Sequence, residues 1–170
     1  MIKLLVVDDS ALVRKLLGQV FGGEPDFEVR FARNGLEALE LLKPFAPDVI
    51  TLDIHMPQMD GLACLDRIMI ERPCPVVMVS SLTAEGAEAT LEAFRLGAVD
   101  FVPKPEGTVS LHIDALAPEL IAKVRGAAGA KLKSSLRLAD RVRHRMGQAR
   151  TERRTPRRET AVVERPTGER

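Results

Sequence analysis

Polar and charged residues follow four short apolar runs of this 170-residue chain, at positions where they can act together in chemistry. Asp8 and Asp9 come directly after one run, Asp53 and Ser80 end two others, and Lys104 comes shortly after a fourth. If the runs are strands of one parallel sheet, their carboxyl ends meet at one edge, where such sheets bind ligands. The five side chains are therefore expected to lie together.

Three carboxylates at one edge of a sheet predict a metal site. Asp8, Asp9 and Asp53 would repel one another unless a hard dication neutralised them. Oxygen ligands with room for water favour Mg²⁺ over zinc. Ser80 would add a hydroxyl to the site, and Ser81 would take its place if the strand ended one residue later.

Hydrophobic periodicity predicts the elements that position these residues. Apolar runs alternate five times with helical patterns, which indicates an α/β fold, a doubly wound parallel (βα)5 sheet with helices on both faces. Pro44 is expected to end the second helix, and Pro118 suits the first turn of the last one. The predicted strands are Ile2–Val7, Phe27–Ala32, Asp48–Asp53, Pro75–Ser81 and Val99–Val102. The predicted helices cover about Ala11–Phe21, Leu36–Lys43, a segment ending near Glu71, Thr83–Leu96 and a segment starting between His112 and Pro118.

Charge divides the chain into an acidic body and a basic tail. Residues 1–125 hold 12 Lys and Arg against 19 Asp and Glu, whereas residues 126–170 hold 13 against 5, and the net charge is only +1. Large apolar residues nearly vanish after position 147. These patterns predict a folded domain over 1–122, a helical linker over 123–146 and a disordered basic tail over 147–170.

The remaining composition excludes several classes of protein. No apolar run approaches the roughly 18–20 residues that cross a bilayer, and the N-terminus does not read as a signal peptide, so a cytoplasmic protein without membrane insertion is expected. Cys64 and Cys74 have no zinc-type spacing and are interpreted as free thiols. The basic tail lacks interleaved aromatic residues and a recognition fold, so nucleic-acid binding is the less favoured alternative to a solvated linker.

Four motifs together carry a resemblance to a known family. LLVVDDS, DVITLDIHMPQMDG, VVMVSS and GAVDFVPKP resemble the receiver domain of two-component response regulators, over about residues 1–122. The resemblance implies a flavodoxin-like fold with Asp53 as the phosphoacceptor. It implies a Mg²⁺ cofactor held by Asp9 directly, by Asp8 through water, by Asp53 and by the backbone carbonyl of His55.

The same resemblance assigns the other site residues. Ser80 matches the hydroxyl that bonds the phosphoryl group, and Lys104 matches the lysine that pairs with it. Phe101 matches the aromatic residue that switches position on phosphorylation, together with Ser80. The bond between Lys104 and Pro105 resembles the cis peptide of the family, which a tertiary amide tolerates.

A narrower resemblance concerns VMVSSLTAEGAEATLEAFRLGAVDFVPKP, which is similar to the receiver of chemotaxis protein-glutamate methylesterases/protein-glutamine glutaminases. It implies a chemotaxis histidine kinase as phosphodonor, and regulation of an attached or partner methylesterase or glutamine deamidase that acts on receptor cytoplasmic domains. The last serine is Ser135 and no Gly-x-Ser-type motif follows it, so the Ser-His-Asp hydrolase domain of that family is not expected within these 170 residues. The chain is expected to be a piece of a longer regulator, or a stand-alone receiver that signals by binding a partner; a receiver catalyses only its own phosphorylation and dephosphorylation.

Overall fold

A computed structural model describes residues 1–81, 83–104 and 113–130, and these ranges form one five-stranded sheet with five helices. All neighbouring strands are parallel, in the order β2-β1-β3-β4-β5. The predicted doubly wound α/β fold is therefore confirmed. The strands are β1 Ile2–Val7, β2 Phe27–Ala32, β3 Val49–Asp53, β4 Val76–Ser80 and β5 Asp100–Pro103. The helices are α1 Ala11–Gly22, α2 Gly35–Phe45, α3 Gly61–Glu71, α4 Ala84–Leu96 and α5 Ile113–Ala128.

Two apolar layers cover the two faces of the sheet. Successive side chains of a strand point to opposite faces, so Leu4 belongs to one layer and Leu5 to the other. Helices α2, α3 and α4 pack on the face of Leu5, and α1 and α5 pack on the face of Leu4. Strands β3 and β4 are buried throughout, which explains why their sequences are apolar without alternation.

Side-chain caps fix where the helices begin. Ser10 accepts a hydrogen bond from the Val13 amide at 3.3 Å, and Asp60 accepts one from the Ala63 amide at 2.8 Å. Asn34 and Thr83 cap α2 and α4 in the same way. The caps at Ser10 and Asp60 place the N-termini of α1 and α3 beside the carboxyl ends of β1 and β3.

Pro44 and Pro118 lie at different positions in their helices from those that the sequence predicts. Helix α2 includes Pro44 and ends at Phe45. Pro44 is the second-last residue of the helix, so it disrupts little helical structure, and the burial of Phe45 at 2% exposure favours this conformation. Pro118 is the sixth residue of α5 instead of a first-turn residue, since this helix already begins at Ile113. Strand β5 lies one residue further along the chain than predicted, with Asp100 paired to Val77.

Helix α5 continues past residue 122, where the folded domain was expected to end. Val124 is fully buried and Ala127 is 6% exposed, and both belong to the layer that contains Leu4. The predicted tail over 147–170 and the peptide bond between Lys104 and Pro105 lie outside the described residues. Within the described ranges, no helix has the length and apolar character to cross a membrane.

Candidate functional site

Three carboxylates meet at the carboxyl edge of the sheet. Val7 of β1 is paired with Leu52 of β3, so the residues that follow them, Asp8 and Asp53, become neighbours. Asp8, Asp9 and Asp53 each offer an oxygen, and these oxygens lie within 4.8 Å of one another. Asp8 is 1% exposed and Asp53 is 2% exposed, whereas Asp9 faces solvent. Because the carboxyl ends of parallel strands lie at one edge of the sheet, the fold brings together the acidic side chains that the sequence predicted to cluster.

Lys104 reaches the same cluster from the end of β5. Its Nζ donates to Asp53 Oδ2 at 3.0 Å and lies 3.6 Å from Asp8 Oδ1. Its backbone amide donates to the Ser80 carbonyl at 2.8 Å, which continues the pairing of β4 with β5 and fixes where the side chain starts. The side chain of Lys104 is only 11% exposed, so its charge acts on the carboxylates with little screening by water.

Asp8 is oriented by the start of α1 and keeps one oxygen available. Its Oδ1 accepts a hydrogen bond from the Ser10 amide at 2.8 Å, and its carbonyl accepts one from Arg14 at 2.6 Å. Its Oδ2 is buried and has no hydrogen-bond partner among the described residues. Buried acceptors are normally satisfied, so an orphaned carboxylate oxygen on a residue clustered with two further carboxylates fits a bound hard cation.

The donor set suits Mg²⁺ chemistry. Asp8, Asp9 and Asp53 supply carboxylate oxygens, and the partly exposed position of the cluster leaves access for water. His55, also expected to contribute, is exposed and lies two residues after Asp53, with its amide donating to Asp53 Oδ1 at 3.3 Å. The residues present therefore fit the ion that the sequence predicted.

Burial and mutual repulsion perturb two of the carboxylates. Burial and then the neighbouring Asp8 charge raise the pKa of Asp53 to about 7, although Lys104 opposes the shift. Burial also raises the pKa of Asp8, against the hydrogen bond from the Ser10 amide and the charge of Lys104. Without a metal ion, the folded site thus holds a proton more tightly than the unfolded chain does.

The substitution Asp53→Asn is expected to stabilise the metal-free protein at neutral pH. The pKa of an aspartate in an unfolded chain is about 3.9, so wild type should lose stability as the pH rises from about 4 to about 7, where the folded carboxylate ionises. The amide cannot ionise, and we expect a gain of about 1–3 kcal/mol at pH 7.5. Urea unfolding in chelator at pH 5 and pH 7.5 measures it; an equal loss of stability in both proteins over this range contradicts the interpretation.

Ser80 and Phe101, the two residues expected to switch, contact helix α4. Ser80 is the last residue of β4, and its hydroxyl lies 3.0 Å from the Ser81 carbonyl and 3.2 Å from the Gly86 carbonyl. Phe101 is 39% exposed and makes an edge-to-face contact with Phe94, with ring centroids 6.2 Å apart. The structure therefore gathers the charged residues of the site, whereas the Ser80 hydroxyl is buried against the start of α4 and the Phe101 ring is partly exposed beside Phe94.

Two glycines at the site were not recognised as site residues from the sequence. A Cβ on Gly61 would lie 2.1 Å from the carbonyl oxygen of Asp53, and a Cβ on Gly86 would lie 2.3 Å from that of Ser81. In each case a helix start lies directly against the backbone that carries a site residue. The sequence offers two signals: Gly61 follows Asp60, which caps α3, and Gly86 interrupts the helical pattern of α4. Neither signal shows which backbone segment packs against the glycine.

Comparison with known proteins agrees with this geometry. The family model of the response regulator receiver domain matches residues 4–115. A protein-glutamate methylesterase/protein-glutamine glutaminase 2 of Rhodopseudomonas palustris is 60% identical over 149 residues, which are 88% of this chain and 41% of that protein. A protein-glutamate methylesterase/protein-glutamine glutaminase 3 of Rhodospirillum rubrum is 57% identical over 84% of this chain and 39% of its own length. The chain thus spans about two fifths of the curated relatives it matches.

This chain matches two solved receiver domains over almost their whole length. The crystal structure of the response regulator domain of Thermotoga maritima CheB is 49% identical, with a TM-score of 0.70, and the match covers 77% of this chain and 98% of that one. The receiver domain of NtrX from Brucella abortus matches with 34% identity and a TM-score of 0.64, over 75% of this chain and 99% of that domain. By the family match, the fold and the conjunction of acidic cluster and lysine, this chain belongs to the response regulator receiver domains of two-component signalling, among the receivers of CheB type.

Proposed function

We propose that Asp53 accepts a phosphoryl group from a histidine kinase and that this modification regulates a protein-glutamate methylesterase/glutaminase activity, attached to the receiver or in a partner. The observation that carries the proposal is the cluster of buried Asp8, buried Asp53 and exposed Asp9 beside the ammonium of Lys104, with one buried carboxylate oxygen of Asp8 unpaired among the described residues. This arrangement concentrates both a nucleophilic carboxylate and the positive charge that a phosphoryl group needs.

The chemistry is a transfer between two nucleophiles. An oxygen of Asp53 forms a bond to phosphorus while the bond from phosphorus to the donor nitrogen breaks, and the electron pair of that bond leaves with the imidazole of the phosphohistidine. Lys104, now 3.0 Å from Asp53, is placed to offset charge on the transferred oxygens. Bound Mg²⁺, held by the three carboxylates and the His55 carbonyl, would supply further positive charge there.

A switch would follow from the new charge. The hydroxyl of Ser80 is engaged by the carbonyls of Ser81 and of Gly86 in α4, and a phosphoryl oxygen on Asp53 would offer it a stronger, charged acceptor. Beside Ser80 is a groove of about 440 Å³ between α4 and β5, which Thr90, Phe94 and Phe101 also line. Movement of Ser80 toward the site would let Phe101 turn inward and remodel this surface.

The names of the relatives suggest the output. Because two of them are methylesterase/glutaminases of which this chain covers about two fifths, we infer that the remodelled surface controls such a catalytic domain, in a chemotaxis pathway that acts on receptors. A chemotaxis histidine kinase would be the donor, and the cytoplasm is the expected location.

Mass spectrometry tests the phosphoacceptor. The full chain treated with acetyl phosphate and Mg²⁺ is expected to gain one phosphoryl group, and peptide mapping is expected to place it on Asp53. The substitution Asp53→Ala should abolish the adduct, and chelation of Mg²⁺ should suppress it. The exposed carboxylate Glu40, changed to Ala, serves as the matched control and should leave the adduct unchanged. Persistent labelling of the Asp53→Ala protein would assign the reaction to another residue.

A further inference from the structure

Strand β1 ends beside the acidic cluster with a backbone carbonyl that faces the end of β2. The Asp8 amide donates to the Ala32 carbonyl at 3.1 Å, which continues the pairing of β1 with β2. In a parallel pair the amide and the carbonyl of one residue point to the same neighbouring strand, so the Asp8 carbonyl also faces β2. Because β2 ends at Ala32, this acceptor needs a donor that the strand does not supply.

Arg14 supplies that donor from helix α1. Its Nη1 donates to the Asp8 carbonyl at 2.6 Å. Arg14 lies one turn after Ser10, the cap of α1, and long side chains of a helix lean toward its N-terminus. The guanidinium therefore reaches back from α1 to the end of β1. Its side chain is partly buried, so water competes weakly for this charge-assisted hydrogen bond.

The Asp8 carbonyl belongs to the peptide group that joins Asp8 to Asp9. This group is planar, so a hydrogen bond to its oxygen also fixes the direction in which the chain continues to the Cα of Asp9. The Asp8 side chain has a hydrogen bond of its own, from the Ser10 amide at 2.8 Å. Asp9 is exposed, and the position of its carboxylate in the cluster therefore depends on the backbone that carries it.

We propose that Arg14 is a positioning residue of the Mg²⁺ site: it fixes the peptide group between Asp8 and Asp9 and thereby directs the Asp9 carboxylate toward the ion. The inference rests on the Mg²⁺ binding that the proposed function requires. Arg14 is not itself a ligand, because a guanidinium is a cation without an acceptor. Residues that orient metal ligands commonly contribute roughly 10- to 100-fold to the affinity for the metal.

The sign of the effect on Mg²⁺ affinity separates this role from two others. A guanidinium near a divalent cation repels it, so removal of the charge alone would raise the affinity. Loss of a correctly placed ligand lowers the affinity instead. A contact that only stabilises the fold would change the free energy of unfolding and leave the Mg²⁺ affinity of the folded protein as it was. The three roles of Arg14 therefore predict three different results.

Calorimetric titration of the full chain with magnesium chloride measures the affinity. Arg14→Met keeps an apolar stem but removes the donor, and we expect its dissociation constant for Mg²⁺ to rise about 10-fold or more. Arg14→Lys keeps the charge and a donor, so it should recover part of the loss. The matched control Lys15→Met removes an exposed, screened charge from the next position of α1 and should stay within about twofold of wild type.

Nuclear magnetic resonance of the metal-free protein gives a second readout. The ¹⁵N shift of Asp9 responds to a hydrogen bond on the Asp8 carbonyl, because both atoms belong to one conjugated peptide group. This signal should move upfield in Arg14→Met, return toward its wild-type position in Arg14→Lys and remain unchanged in Lys15→Met. The same spectra show whether each variant is folded.

The possible results distinguish this inference from the proposed function. Equal or tighter Mg²⁺ binding by folded Arg14→Met overturns the role of Arg14, as does an unchanged Asp9 shift. Neither measurement uses a phosphodonor, so either result would leave the phosphorylation of Asp53 standing as a proposal. A chain that binds Mg²⁺ as expected but takes up no phosphoryl group on Asp53 would contradict the proposed function and leave the role of Arg14 intact. A wild-type chain that binds no Mg²⁺ would overturn both.

Discussion

The substitution Lys104→Met is expected to slow phosphorylation of Asp53 by acetyl phosphate about 100- to 1,000-fold, an effect comparable to removing one preorganised donor from a transition-state site. The Nζ of Lys104 lies 3.0 Å from Asp53 Oδ2 and 3.6 Å from Asp8 Oδ1, in a side chain that is 11% exposed. At this burial its charge is poorly screened, and methionine preserves the apolar stem while removing the ammonium. Rates of adduct formation by mass spectrometry measure the effect.

A lysine at the opposite end of the sheet gives the control. Lys43 is exposed in the last turn of α2, so Lys43→Met removes the same charge from the chain without touching the cluster and should leave the rate unchanged. Circular dichroism would show that the Lys104→Met protein is folded under the assay conditions. A folded Lys104→Met protein that reacts within twofold of wild type would remove Lys104 from the proposed chemistry.

The acidic cluster could be predicted from the sequence because one geometric rule determines it. The carboxyl ends of parallel strands lie at the same edge of the sheet. Strands β1 and β3 are buried on both faces and therefore appear as apolar runs that stop at polar residues. Once the strands are parallel, Asp8 and Asp53 must lie at the same edge, and the register of Val7 with Leu52 makes them adjacent. No knowledge of side-chain packing was needed for that step.

Helix ends were harder to predict because they depend on tertiary contacts. A rule based on proline alone ends α2 at Lys43, yet the burial of Phe45 favours another two residues of helix. The start of α5 at Ile113 likewise places Pro118 in its second turn. Local propensity is a small term beside the burial of a large apolar side chain.

The orientation of Ser80 and Phe101, the two residues expected to switch, could not be obtained from the sequence either. Position in β4 and β5 says that Ser80 and Phe101 lie near the carboxyl edge, but each side chain has several rotamers. The Ser80 hydroxyl is held by carbonyls of Ser81 and Gly86, and the Phe101 ring rests on Phe94. These contacts depend on the distances from β4 and β5 to α4, which only the folded backbone defines.

The substitution Gly61→Ala is expected to destabilise the protein by about 3 kcal/mol or more, a loss at the upper end of the range for overpacking. Gly61 is the first residue of α3, and its amide donates to the Ile54 carbonyl at 2.7 Å. An added Cβ would lie 2.1 Å from the Asp53 carbonyl oxygen and 2.7 Å from the Ile54 Cα. Both neighbours are backbone atoms, so relief requires moving the backbone at Asp53 and Ile54. Urea unfolding measures the loss of stability, and adduct formation on Asp53 should slow in parallel.

Another glycine separates this clash from the general effect of adding a methyl group. A Cβ on Gly126, within α5, meets no heavy atom within 4 Å, so Gly126→Ala should gain up to about 1 kcal/mol from the higher helix propensity of alanine. Opposite signs for the two substitutions are expected because the methyl group is the same and only the space around it differs. If Gly61→Ala unfolded at the same urea concentration as wild type, α3 would not approach β3 as closely as described, and the position of Asp53 relative to Asp8 and Lys104 would have to be revised.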